Sequence, residues 1–191
     1  MRKILIYLHG FLSSPQSVKC QATLAYFQQH HSDIERVAIQ IPYYPQDAIT
    51  QLSALVSQYQ DCQLGYIGSS MGGFLSTYLM QAFPGKAVLI NPAVTPHILL
   101  KNYLGEHLHP YTQDTFILTE QHMTQLSELS VEQVKTPENF WVLLQENDET
   151  LDYREAVDKY QQSNVTVEPG GDHSFQGYEN YLPEIASFLF D

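Results

Sequence analysis

Gln63-Leu64-Gly65-Tyr66-Ile67-Gly68-Ser69-Ser70-Met71-Gly72-Gly73 is the stretch on which the fold of this chain turns. Its first half is short and apolar, the composition of a buried strand. Its second half is glycine and serine, and the residues beyond it change period: Leu75, Tyr78, Leu79 and Ala82 make a helical stripe that Pro84-Gly85 stops. A strand that turns into a helix through Gly-x-Ser-x-Gly lifts the middle serine above the sheet. Gly68 and Gly72 leave room for that strained turn. A serine hydroxyl is a weak nucleophile until a base removes its proton. Ser70 therefore gains meaning only if a base is brought to it from elsewhere in the chain.

Working outward, similar apolar runs recur at Lys3–Leu8, Arg36–Ile41, Ala87–Ile90, Phe140–Leu144 and Asn164–Val167. They are apolar on both faces, as strands covered on both sides must be. Helical stripes alternate with them. Cys20, Leu24 and Phe27 form one, and Ile49, Leu52, Leu55, Val56 and Tyr59 another. Asp152-Tyr153-Arg154-Glu155 reads as a capping box, and Pro183 suits the first turn of a last helix carrying Ile185, Phe188 and Leu189. This alternation predicts one α/β domain, a mainly parallel sheet of about six strands with helices on both faces. The exception is residues 95–136, a long stretch rich in aromatics and histidines. It is expected to be a cap-like insertion after the fourth strand, a helical cover without strands over the C-terminal ends of the sheet, where open α/β sheets bind ligands.

Composition removes several function classes. The 191 residues carry a net charge of −12 with only nine Lys and Arg, so nucleic acid is an unsuitable partner. No run approaches the ~20 apolar residues of a membrane span. The N-terminal apolar stretch is broken by His9-Gly10 and reads as a strand, not a signal peptide. Cys20 and Cys62 are isolated, which excludes a disulfide framework and fits reduced thiols in a cytoplasmic protein.

Two further loops complete a site around Ser70. His9-Gly10-Phe11-Leu12-Ser13-Ser14-Pro15 follows the first strand, where an oxyanion needs a second backbone donor. The N–H groups of Phe11 and Met71 are the candidates. Gly170-Gly171-Asp172-His173-Ser174-Phe175 follows the last strand candidate. Of eight histidines, only His173 combines a glycine-flanked loop with the chain order Ser, Asp, His. His30 and His31 sit at a helix end, His97 and His122 belong to the cover, and His107 and His109 lack the further ligands of a metal site. The acid that orients the imidazole is expected in Glu146-Asn147-Asp148-Glu149-Thr150-Leu151-Asp152. Asp148 is preferred and Glu149 is second. Asp152 is taken as a helix cap, Glu146 follows the strand too closely, and Asp172 adjoins the histidine it would have to reach around.

With these residues in view, the whole chain resembles the small YqiA-like esterases of proteobacteria, within the α/β-hydrolase superfamily. The likeness is carried by the three segments around Phe11, Ser70 and His173, by Leu89-Ile90-Asn91-Pro92-Ala93-Val94, and by Asn147-Asp148-Glu149-Thr150-Leu151-Asp152-Tyr153-Arg154. It implies esterase activity, with acyl-CoA thioesters as a further substrate class, and the nucleophile, base and acid roles on Ser70, His173 and Asp148.

The expected chemistry is attack of Ser70 on a small-molecule ester or thioester, without metal or cofactor. Leu12 is expected to contact the substrate, and Tyr103, His107, Tyr111, Phe116 and Met123 either to wall it or to be core residues of the cover. Lys19, Lys101 and Arg154 are the cations available to form a basic rim, a thin one for a phosphate-bearing leaving group, so simple esters rank above acyl-CoA. The contrasting expectation is a non-catalytic ligand-binding protein on the same scaffold.

Overall fold

Strands and helices alternate along residues 1–191, all of which the computed structural model describes. In chain order they are β1 (Lys3–Leu8), α1 (Val18–His30), β2 (Ile34–Ala38), α2 (Pro45–Ser57), β3 (Gln63–Ser69), α3 (Met71–Leu79) and β4 (Lys86–Ile90). There follow α4 (Pro96–Leu99), β5 (Gly105–Leu108), β6 (Thr115–Leu118), α5 (Glu120–Glu128), β7 (Phe140–Gln145), α6 (Tyr153–Lys159), β8 (Asn164–Glu168) and α7 (Leu182–Phe190). A six-stranded sheet runs β2-β1-β3-β4-β7-β8. Every pairing in it is parallel.

The pleat explains why these strands read as unbroken apolar runs. Ile4, Ile6 and Leu8 enter a cluster of 25 buried residues shared with α2, α3, α5 and α6. Leu5 and Tyr7 enter a second cluster, of 17, shared with α1 and α7. Each large side chain so buried contributes roughly 1.5–3 kcal/mol of transfer free energy. Because α1 covers one face and α3 the other, the chain leaves β1 and β3 in opposite directions. That divergence opens a crevice at the carboxyl ends of the two strands. The loop from His9 and the turn at Ser70 both lie there.

Two expectations change in detail. The second strand ends at Ala38, not Ile41, because the N–H of Ile41 leaves the sheet and donates to the ring Nε2 of His9 at 3.0 Å. Residues 95–136 are not strandless. They hold α4 and α5 but also the antiparallel hairpin β5–β6. Its strands have four residues each, too short for alternation to be told from a helix by pattern. The alternation is nonetheless present, since Phe116 and Leu118 are buried while Thr115 and Ile117 are exposed.

Of the expected capping box at α6, only the N-cap half forms. Asp152 is the N-cap of α6, its Oδ1 accepting from the N–H of Arg154 at 3.0 Å. Glu155 does not return the contact and instead accepts from Thr95 Oγ1 at 3.2 Å. Pro183 lies in the first turn of α7. No helix is long and apolar enough to cross a membrane.

Candidate active site

Ser70 is the hinge between β3 and α3, at φ 55° and ψ −117°. This is a sparsely populated conformation that persists only where its surroundings over-determine it. Four backbone hydrogen bonds do so, one of them from Phe74 N–H to Ser70 O at 3.4 Å. Ser70 N–H donates to Ile90 O at 3.0 Å, and its carbonyl accepts from Gly73 at 2.9 Å and Ala93 at 3.1 Å. The flanking glycines are required by contact. A Cβ on Gly68 would lie 2.4 Å from Gly72 O, and one on Gly72 would lie 1.9 Å from Leu8 O.

The hydroxyl so displayed meets two side chains in line. Ser70 Oγ lies 3.1 Å from His173 Nε2, and His173 Nδ1 lies 2.7 Å from Asp148 Oδ2. The other oxygen of Asp148 accepts from Thr150 N–H and Leu151 N–H, both at 2.8 Å. A carboxylate only accepts, so the ring proton belongs on Nδ1. That leaves the Nε2 lone pair free to receive the proton of Ser70. The Asp148 side chain is 2% exposed and that of His173 25%, so the carboxylate is shielded while the imidazole reaches solvent.

The remaining carboxylates have other partners. Glu149 accepts from the backbone N–H of His173 at 2.9 Å. Asp152 pairs with Arg154, and Asp172 Oδ2 accepts from Gln176 Nε2 at 2.9 Å.

The loop after β1 closes against the same serine. Gly10 is so close that a Cβ there would meet Ser70 Cβ at 3.3 Å. The N–H of Phe11 has no hydrogen-bond partner. Met71, as the first residue of α3, carries one of the N–H groups that a helix leaves without an internal acceptor. Two buried histidines pin the loop. His9 donates from Nδ1 to Gly10 O at 2.9 Å and accepts the Ile41 N–H at Nε2. Burial holds its pKa down at about 4, so it is neutral and its tautomer is set by these bonds. His109 donates from Nε2 to Ser13 O at 3.1 Å and accepts the N–H groups of Tyr111 and Thr112 at Nδ1.

The loop that carries His173 is held by residues to which the sequence reading assigned no positioning role. Asn91, at φ 40° just beyond β4, donates from Nδ2 to Asp172 O at 3.0 Å and to His173 O at 3.3 Å. Its Oδ1 accepts from Gln145 N–H. The buried side chain of Gln145 accepts from the N–H groups of Asp172 and Gln176 and donates to Gln176 O. Lys19 donates to Ser174 O at 2.6 Å. The available signal was Asn91 itself: directly after a strand and before Pro92, it is a residue type that tolerates a positive φ.

Two cavities meet at this point. A cleft of about 690 Å³ is lined by Ser70, His173, Lys19 and Tyr111 among others. A smaller apolar cavity of about 50 Å³ lies beside Met71, and both share His9, Gly10 and Phe11. Of the residues expected to wall the substrate, Tyr111 lines the cleft, and Leu12 and Phe116 line the apolar cavity. Tyr103 and His107 line neither and must be corrected. Their rings pack edge-on against Phe11, with centroids 6.3 and 6.2 Å away, and so stand behind it. Met123 is a core residue. Of the three cations expected at a rim, only Lys19 lines the cleft. Arg154 is engaged with Asp152, and Lys101 stands in an exposed turn.

This order of parallel strands, with a serine turn after β3, is the α/β-hydrolase fold, and solved structures bear that out. The chain aligns with Est1E from Butyrivibrio proteoclasticus, solved with ferulic acid bound, at TM-score 0.75 and 14% identity, over 97% of this chain and 87% of that one. It aligns with the α/β hydrolase domain-containing protein 10 from mouse at TM-score 0.73 and 15% identity, over 96% and 87%. Against the monoacylglycerol lipase of Paleococcus ferrophilus the TM-score is 0.69 at 10% identity, over 97% and 94%. Within that fold the chain belongs to the uncharacterised protein family UPF0227, whose model matches residues 4–190. This is the YqiA family that its motifs resemble.

Proposed function

We propose that this protein is a serine esterase that hydrolyses small carboxylic esters through an acyl-enzyme on Ser70. The observation that carries the reading is the hydrogen-bonded line from Ser70 Oγ to His173 Nε2 at 3.1 Å and from His173 Nδ1 to Asp148 at 2.7 Å. As Ser70 attacks the carbonyl carbon, its proton passes to Nε2, and Asp148 stabilises the imidazolium that results. The oxyanion accepts from the N–H groups of Phe11 and Met71, each such donor contributing about 2.7–4 kcal/mol of transition-state stabilisation. When the C–O bond to the alcohol breaks, the leaving oxygen takes the proton from Nε2. Water then loses a proton to His173, attacks the acyl-enzyme, and releases the acid as the proton returns to Ser70.

The same steps serve a thioester, with sulfur as the leaving atom. Related folds support hydrolysis, since structures aligned to this one include an esterase and a monoacylglycerol lipase. Unpaired Cys20 and Cys62 fit a reducing, cytoplasmic setting.

A fluorophosphonate probe tests the reading directly. Wild type is expected to be labelled on Ser70 and to hydrolyse a 4-nitrophenyl ester, with both lost in Ser70→Ala. Full ester hydrolysis by Ser70→Ala would overturn the mechanism.

A further inference from the structure

We propose that the two cavities divide an ester between them: the apolar cavity takes an alkyl acyl group of about two or three carbons, and the cleft takes an uncharged, hydroxyl-bearing alcohol. This division presupposes the serine-esterase reading and adds a substrate class to it.

The direction follows from the proton. The leaving oxygen must meet Nε2 of His173 to be protonated, and His173 opens into the cleft but not into the apolar cavity. The acyl chain therefore points the other way. Met71 and Phe11, whose N–H groups receive the oxyanion, line the apolar cavity.

The length follows from the volume. An apolar cavity of ~150 Å³ holds a benzene ring, and this one has about 50 Å³. Its walls include Leu75, Leu100, Leu118 and Leu126, each 2–4% exposed. They are closely packed side chains that yield only at a cost.

The nature of the alcohol follows from what lines the cleft. Ser13, Ser17 and Tyr111 offer hydroxyls and Asn180 an amide. Among its Lys, Arg, Asp and Glu lining there are only Lys19 and Glu179, which offset one another. The ammonium of Lys19 is already held by Ser174 O at 2.6 Å. Phosphates are recognised by convergent Arg and Lys donors, and this cleft has none to spare in a chain of net charge −12. A coenzyme A leaving group is disfavoured on that ground.

The test is kcat/KM for glycerol monoesters from propionyl to octanoyl, with propionyl-CoA alongside, after Ser70 labelling by a fluorophosphonate has been scored. We expect the propionyl glycerol ester to exceed both the hexanoyl ester and propionyl-CoA by about tenfold or more. Leu126→Ala, which enlarges the cavity, is expected to raise hexanoyl relative to propionyl by about tenfold. Ala48→Leu, which fills it, is expected to move the ratio the other way and serves should the first variant fail to fold. Unlabelled Ser70 would overturn the esterase reading and this division with it. Labelled Ser70 with a flat or rising chain-length profile, or with a preference for the CoA ester, would overturn the division alone.

Discussion

Asn91 holds the backbone of His173, the base of the proposed mechanism: from the end of β4 its amide donates to His173 O at 3.3 Å and to Asp172 O at 3.0 Å, while its Oδ1 accepts from Gln145 in β7. One side chain thus ties two central strands to the loop that carries the imidazole. Its side chain makes no hydrogen bond to Ser70 or to the imidazole ring, so its part is to position.

Asn91→Asp preserves size and the acceptor toward Gln145. It also turns a carboxylate oxygen toward two carbonyls, where a donor stood. We expect kcat to fall by about 10–100-fold with KM little changed, since a misplacement of ~1 Å near the chemistry can cost 10²-fold. The rate of fluorophosphonate labelling should fall in step. A variant that loses stability but keeps its labelling rate would show that Asn91 serves the fold and not the base.

Asp148→Asn probes the tautomer. The amide oxygen can keep the bonds from Thr150 and Leu151, which leaves its NH₂ facing His173 Nδ1. The ring would then carry its proton on Nε2 and could not accept from Ser70. The equivalent change in a serine protease lowers kcat about 10⁴-fold, and a loss of that order is expected here in steady-state ester hydrolysis. A loss below tenfold would mean that Glu149 or another carboxylate substitutes for Asp148.

His9 predicts how stability depends on pH. Its folded pKa, lowered to about 4 by burial, lies below the ordinary 6.5 of an unfolded chain. Between these values the unfolded state binds more protons, so stability falls as pH drops from 6.5 towards 4 and this contribution is flat above. The loss is about 3 kcal/mol over the full window. Urea unfolding at pH 7 and pH 4.5 should show a steeper acid loss for wild type than for His9→Gln, by about 2 kcal/mol. Equal slopes would remove His9 as the cause.

Gly72→Ala tests the turn without touching a reactive group. Its Cβ would fall 1.9 Å from the carbonyl oxygen of Leu8, a backbone atom of a central strand that cannot swing aside. Overpacking of this kind costs about 1–3 kcal/mol or more. Thermal unfolding should show a clear loss of Tm, with esterase activity reduced because β1 and the serine turn are pushed apart. An unchanged Tm would refute the close approach.

The parallel strands were legible because both their faces are buried, so each is a continuous apolar run, as in Phe140–Leu144. The serine turn was legible because only glycine fits at Gly68 and Gly72, and His173 because its loop repeats that glycine signature after the last strand. The acid was narrowed to Asp148 and Glu149 within one loop, because Asp152 reads as a helix cap and Glu146 follows the strand too closely. These are local constraints, and local constraints are written in the chain.

What only the tertiary structure decided is which distant polar groups satisfy one another. His9 and Ile41, His109 and Ser13, and Asn91 with Gln145 and His173 are pairs whose hydrogen bonds exist only once the sheet brings them together. The hairpin within residues 95–136 likewise gains its strands from packing over the site and not from a pattern long enough to read. Tyr103, just before that hairpin, and His107, within it, were reasonable as substrate contacts by position but pack edge-on against Phe11. Burial leaves a polar atom no partner but the one the fold supplies, and that choice is made in three dimensions.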